Sequence, residues 1–252
     1  MNAPRIEFRD VSKRFGAVEA VREVTLAVSD GEVVSLIGPS GCGKSTLLNM
    51  GSGLYAPSSG EVRVDGERVT GPNDHVAFML QKDLLLPWRT IRENVELGLE
   101  IKKTQPGDTS MRLLKRFHLD GFENAYPHQL SGGMRQRAAL ARTLAVEPTV
   151  LMMDEPFSAL DAQTKMLLQQ DLAQTLAEER KTALFITHDL AEAVALSDRI
   201  LVMSPRPGTI IEELVVDLPD RENPLQRRRA ARVADYLARL MELLHVEERL
   251  VT

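Results

Sequence analysis

Short apolar runs, most of them ending in a glycine, an amide or a carboxylate, recur along the chain and alternate with helix-forming stretches. Val33-Val34-Ser35-Leu36-Ile37, Val76-Ala77-Phe78-Met79-Leu80-Gln81, Thr149 to Pro156, Thr182 to Asp189 and Arg199 to Met203 have the length and composition of buried strands. Arg5 to Phe8 and Val24 to Val28 read as earlier strands, with Asp30-Gly31 turning into the run at Val33, and Glu61 to Glu67 as a short strand and turn. Helical patterns cover Ser45 to Met50, Ile91 to Leu119 with a break at Gln105-Pro106-Gly107-Asp108, Arg135 to Ala145, and the stretch from Leu190. The pattern predicts an α/β core over residues 1–84 and 146–218, with residues 85–145 inserted as a helical unit. A tail, residues 219–252, contains a helix opened by Arg227-Arg228-Arg229 that places Val233, Leu237, Leu240 and Leu244 on one face. The basic cluster suits an anionic membrane surface, and the apolar face suits packing on the chain's own domain or a partner subunit.

Composition narrows the classes. With 252 residues there is room for one large domain or a core with an inserted subdomain. The net charge of −5 and the lack of a long basic stretch argue against nucleic acid as the main partner. The single cysteine, Cys42, rules out a disulfide framework and predicts a reducing compartment. No apolar h-region follows Met1, so no signal peptide is expected. No run approaches the ~18 apolar residues of a membrane span. A cytoplasmic protein is expected, unless a partner holds it at a membrane.

Candidate chemistry clusters where strands end. Gly38-Pro39-Ser40-Gly41-Cys42-Gly43-Lys44-Ser45-Thr46 fits the phosphate-binding loop and sits between a strand and a helix, the context that pattern needs. Its glycines let backbone N–H groups point inward, and the helix N-terminus adds positive dipole. Lys44 can reach β- and γ-phosphates, and Ser45 can ligate Mg²⁺. Cys42, at the same helix start, reads as a reactive thiol. Gln81 ends a strand where ligands bind in parallel sheets, so it can touch Mg²⁺ or a water, or simply finish the strand in a polar residue. Asp154 and Glu155 close an apolar strand: Asp154 can hold Mg²⁺, and Glu155 can orient and polarise an attacking water. His188 ends another strand, within reach of a γ-phosphate or in a structural role. Ser131 is a good N-cap, so Ser131-Gly132-Gly133 forms a second glycine-bearing helix start, an anion site if two copies of the chain face each other. Phe15 suits core packing or base stacking, and the residues alone favour core. Trp88, the only tryptophan, lies in an apolar segment that reads as core or as a surface patch awaiting a partner.

Taken together and in order, these motifs resemble the ATP-binding cassette (ABC) family of transport ATPases over residues 5 to about 215. Gly38 to Thr46 looks like Walker A, Gln81 like the Q-loop, and Leu130 to Met134 like the signature Leu-Ser-Gly-Gly-Gln, with Met134 in place of glutamine. Val150 to Asp154 looks like Walker B, Glu155 like the catalytic glutamate, Ser158 to Asp161 like the D-loop, and His188 like the switch histidine. The resemblance makes Phe15 the adenine-stacking aromatic, against the core reading. It implies a P-loop NTPase (RecA-like) core with an antiparallel β subdomain and an inserted α-helical subdomain. It also implies ATP and Mg²⁺ as ligands, and catalytic roles for Lys44, Gln81, Glu155 and His188. Two cassettes would sandwich ATP between Walker A of one and Ser131, Gly132 and Gly133 of the other. Permease subunits would dock at the Gln81–Trp88 region, on the cytoplasmic face of the membrane, with a solute-binding protein acting indirectly. Leu86 to Val95 and Met203 to Gly208 look most like the nitrate, sulfonate and taurine importer branch. The alternatives are a soluble ABC-type ATPase not coupled to transport and a P-loop kinase.

Overall fold

A computed structural model describes residues 4–244. Its centre is a six-stranded sheet ordered β10-β9-β3-β8-β7-β6. The strands are β3 (Val33–Ile37), β6 (Val76–Met79), β7 (Val150–Asp154), β8 (Thr182–Ile186), β9 (Arg199–Met203) and β10 (Ile210–Val215). The first five run parallel, and β10 closes one edge antiparallel to β9. The interior strands are buried nearly throughout because helices and a second sheet cover both faces, which is why they read as continuous apolar runs. Within each strand, alternate residues part company. Leu151, Met153, Ala183 and Phe185 join the cluster that also fills the helical insertion, whereas Val150, Met152, Leu184 and Ile186 face the other way.

That other face is covered by α1 (Lys44–Gly51) and an antiparallel sheet ordered β2-β1-β4-β5. Its strands are β1 (Pro4–Phe15), β2 (Val18–Ser29), β4 (Ser59–Val64) and β5 (Glu67–Arg68). The sequence pattern predicts only the ends of the first two strands; the structure joins them into one long hairpin. Register shifts around Phe8–Val11, with Asp10 and Glu23 at φ 51° and 45°, break the alternation midway and hide the continuation. Similarly, β6 stops at Met79, leaving Leu80 and Gln81 exposed beyond it.

The insertion comprises α2 (Ile91–Ile101), α3 (Thr109–Arg116) and α4 (Gly132–Ala145). Thr90 and Glu93 form a capping box that starts α2. The insertion shares one hydrophobic cluster with the sheet and with α5 (Ala162–Glu178), so its helices rest on the core rather than apart from it. On the far side, α6 (Leu190–Leu196) packs under the tail, which folds into α7 (Pro224–Arg227) and α8 (Val233–Leu243). Val233, Leu237, Leu240 and Leu244 all join this cluster. The basic run does not form a membrane-facing patch: Arg227 is buried and donates to Val216 O at 3.1 Å, and Arg228 donates to Gln169 at 2.7 Å. Part of the tail, residues 245–252, lies outside the described residues. Among the described residues no helix is long and apolar enough to cross a membrane.

Candidate nucleotide site

The carboxyl ends of the parallel strands are in register: Leu36 pairs with Ile186, Ile37 with Val202, Asp154 with Ile186, and Met79 with Met153. This alignment brings the residues that follow β3, β6, β7, β8 and β9 to one edge of the sheet, where α/β folds bind their ligands.

There a cleft of 410 Å³ is lined by Phe15, Val18, Ala20, Ser40, Gly41, Gly43, Lys44, Ser45, Thr46, Glu155, Ile186 and Arg206. The phosphate loop forms its floor. Gly43 caps α1 at φ 107°, and a Cβ there would lie 2.7 Å from Ala20 O, so both the backbone and the close approach demand glycine. The first turn of α1 has neither a side-chain cap nor an acidic residue, leaving its positive end for an anion. Lys44 Nζ folds back onto the loop, donating to Gly38 O at 2.8 Å and Pro39 O at 2.9 Å. Gly38 and Pro39 thus shape the loop from behind. Cys42 is 1% exposed and its side chain joins the core, which removes the thiol from reagents and overturns the expectation of a reactive cysteine.

Two predicted side chains converge on a third, the Glu155 carboxylate. Gln81 Nε2 donates to Glu155 Oε2 at 2.8 Å, and His188 Nδ1 lies 3.5 Å from the same oxygen. Glu155 itself sits at φ 50°, a left-handed conformation unusual for a residue with a Cβ. Its N–H is fixed by Ile186 O at 3.1 Å and its carbonyl accepts Ser158 N–H at 3.2 Å. Burial pushes the Asp154 carboxyl up, helped by the neighbouring Glu155 charge, while the Ser45 hydroxyl and Lys44 ammonium pull it down. Asp154 and Ser45 therefore face each other at the junction of β7 and α1, a pair of hard oxygen donors of the kind Mg²⁺ takes. Among the described residues no cluster of three or more His, Cys, Asp or Glu side chains could hold a metal.

The supports of these groups were not legible as motifs. Lys165 Nζ lies 2.7 Å from Asp189 and 2.8 Å from Glu192, tying α5 to the segment that follows His188. Burial raises the Glu192 carboxyl, and the Lys165 ammonium opposes that rise. Arg142 donates to the carbonyls of Asp83 and Leu84 at 2.6 and 2.8 Å, and Arg135 to the Asp83 carboxylate at 3.1 Å, fastening the segment after Gln81 to α4. Buried Asn94 accepts from Leu86 N–H and donates to the carbonyls of Leu86, Arg89 and Thr90, which holds that loop so that Trp88 projects outward, 70% exposed. Trp88 is therefore surface, not core.

Phe15 is likewise not core. It is 45% exposed at the tip of the β1–β2 hairpin, edge-on to Tyr55 with ring centroids 5.6 Å apart, and Lys13 Nζ sits 5.1 Å from its centroid. Tyr55 comes from the loop after α1, where nothing in the local sequence marks it.

Ser131, Gly132 and Gly133 do not line the cleft. They start α4, with Ser131 Oγ accepting Met134 N–H at 3.2 Å and with Ser131 and Gly132 exposed. Gly133 packs on the start of α5, where a Cβ would meet Thr164 Cγ2 at 2.9 Å. One chain thus builds a cleft able to hold a nucleotide by its phosphates and leaves its second glycine-bearing helix start facing elsewhere.

Known proteins are similar to this chain in sequence and in fold. The ABC transporter family profile matches residues 21–158. The nitrate import ATP-binding protein NrtD of Synechocystis is 44% identical over 230 residues, which span 88% of this chain and 86% of that protein. The aliphatic sulfonates import ATP-binding protein SsuB of Bacillus cereus is 43% identical over 208 residues, 82% and 83% of the two chains. Among solved structures, the dimeric post-hydrolysis state of the ATP-binding cassette MJ0796 bound to ADP and Pi superposes with a TM-score of 0.75 at 34% identity, covering 84% of this chain and 98% of that one. With these matches, the chain belongs to the ABC transporter family, as an ATP-binding subunit with the P-loop fold and the ATPase activity of that family.

Proposed function

We propose that this chain is the energy-coupling ATPase of a bacterial importer for nitrate, a sulfonate, taurine or a similar small solute. The convergence of Gln81 and His188 on Glu155, at the mouth of the phosphate-loop cleft, is the observation that carries the catalytic part of the reading. The named import relatives support the solute class.

In this reading ATP lies along the cleft with its adenine against Phe15 and its phosphates over Gly41 to Thr46. Lys44 leaves the carbonyls of Gly38 and Pro39 for the β- and γ-phosphate oxygens. Mg²⁺ held by Ser45, Asp154 and the Gln81 carbonyl oxygen would neutralise charge building on those phosphates. Glu155 accepts a hydrogen bond from the attacking water and aligns it with the γ-phosphate; Gln81 and His188 fix the carboxylate's direction, and His188 would meet the γ-phosphate as well. Ser131, Gly132 and Gly133 of a second copy close the cleft from outside, which accounts for a capped, exposed helix start with no ligand groove of its own. The dimeric MJ0796 cassette supports that assembly.

The permease would dock beside Gln81. Exposed Trp88 borders a concave surface of 700 Å³ that also includes Glu93, Glu96 and Glu100, and the segment between Gln81 and Trp88 is the one that Arg135 and Arg142 tie to α4. Docked there, the subunit sits at the cytoplasmic face of the membrane, with a solute-binding protein acting through the permease.

The test is Glu155→Gln, measured by phosphate release and by light scattering during size exclusion. Hydrolysis is expected to fall by at least ~10²-fold, the usual contribution of a general base, while ATP still binds and Mg-ATP shifts the variant from monomer to dimer. Normal turnover by this variant would remove Glu155 from the chemistry. Loss of the chain from its host should then abolish uptake of nitrate or a sulfonate; unimpaired uptake of both would refute the solute class.

A further inference from the structure

The loop Ser204-Pro205-Arg206-Pro207-Gly208 follows β9, on the opposite side of β3 from β7 and β8. It therefore approaches the cleft from the side away from Glu155 and His188. The backbone of the loop is fastened on both sides of Arg206. Ser204 Oγ accepts Thr209 N–H at 3.0 Å and lies 3.0 and 3.3 Å from the carbonyls of Pro205 and Pro207. Gly208 N–H donates to Ala20 O, and Gly208 O accepts Arg22 N–H, each at 3.0 Å. A Cβ on Gly208 would lie 2.0 Å from Cys42 O, so only glycine lets the loop lie against the phosphate loop. The same Ala20 carbonyl that receives Gly208 also abuts Gly43. One junction thus joins the base side of the cleft, the phosphate loop and the Arg206 loop.

Arg206 lines the cleft and is exposed, and among the described residues no carboxylate lies within ion-pair distance of it. A guanidinium held without an acidic partner beside a phosphate loop is a ready phosphate ligand, because its planar donors match phosphate oxygens. We propose that Arg206 is a further nucleotide-binding residue whose guanidinium grips the α-phosphate, on the base side of Lys44. This rests on the cleft being the nucleotide site. The α-phosphate is favoured over the γ-phosphate because the loop is fastened to Ala20 and Cys42 and enters from the side away from Glu155.

The consequence is specific. A contact at the α-phosphate is common to ATP and ADP, so both should lose affinity alike. Titration of ADP and of a non-hydrolysable ATP analogue into the purified chain, with the Arg206→Ala, Arg206→Lys and Lys44→Ala variants, tests this. Arg206→Ala is expected to weaken both nucleotides about tenfold, the low end for a charge-assisted hydrogen bond, and Arg206→Lys to restore part of the loss. The melting temperature without nucleotide should not change, since Arg206 makes no hydrogen bond to the rest of the described chain. If Lys44→Ala weakens binding and Arg206→Ala does not, the assignment of Arg206 fails and the cleft stands. If neither variant weakens binding, the cleft is not the nucleotide site. Loss of affinity for the ATP analogue with ADP unaffected would place Arg206 at the γ-phosphate or on a second copy, and would equally overturn the proposal.

Discussion

Two helices of this chain begin in glycine-rich loops, and they end up doing different things. The start of α1 has Gly43 at φ 107°, no side-chain cap, and a wall on each side: the β1–β2 hairpin on one and the ends of β7 and β8 on the other. The start of α4 has Ser131 in extended conformation, its hydroxyl already spent on Met134 N–H, and nothing opposite Ser131 and Gly132 but solvent. Both present partial positive charge. Only the first is enclosed by its own chain, and enclosure is what turns a helix dipole into a binding site, because water screens an open one. The second is left open by its own chain, and in the proposed function a second copy is what would enclose it.

The sharpest way to break this contrast is at the enclosed end. Gly43→Val meets two obstacles together: a φ that a β-branched residue does not adopt, and the Ala20 carbonyl 2.7 Å from the new Cβ. The loop must then open, and ADP affinity is expected to fall by more than ~10²-fold, which is about 3 kcal/mol, as read by calorimetry. Retained affinity would mean that the loop geometry does not govern binding.

At the open end the same kind of change should behave in the opposite way. A Cβ on Gly132 would find nothing closer than Arg135 Nη2 at 3.9 Å, and an acid in the first turn of a helix is stabilising by about 0.3–1 kcal/mol. Gly132→Asp is therefore expected to leave the fold and ADP binding by the isolated chain intact, yet to lower ATP hydrolysis at least ~10-fold by setting a carboxylate against the γ-phosphate of the facing copy. Hydrolysis at the parental rate would show that α4 does not complete the site.

The same contrast explains how much the amino-acid sequence discloses. Val33 to Ile37, Val150 to Asp154 and Thr182 to Ile186 are legible because a strand buried on both faces must be apolar throughout, and the polar residue that ends each run stands at the sheet edge where chemistry happens. Contacts between distant segments are not legible in this way. Arg206 reaches the cleft only because β9 pairs with β3, Tyr55 reaches Phe15 only because α1 turns back beneath the hairpin, and Lys165 meets Glu192 across two helices. Phe15 shows the limit from the other direction: its residue type favours core, and only the hairpin tip, formed after Asp10 and Glu23 disrupt the alternation, puts it outside.

The smallest effect separates what Ser131 does for its own helix from what it does for a partner. Its hydroxyl satisfies one otherwise unpaired N–H of α4, so Ser131→Ala should cost about 1 kcal/mol in urea denaturation. Ser131→Asn keeps a capping oxygen of similar quality and should recover that stability. If capping were the residue's only duty, the asparagine variant would also recover hydrolysis. If the Ser131 hydroxyl instead rotates in the assembled pair to donate to a γ-phosphate oxygen, the bulkier asparagine intrudes on the facing cleft. Stability then returns while hydrolysis does not, and that split is the outcome expected of a helix start kept open for a second copy.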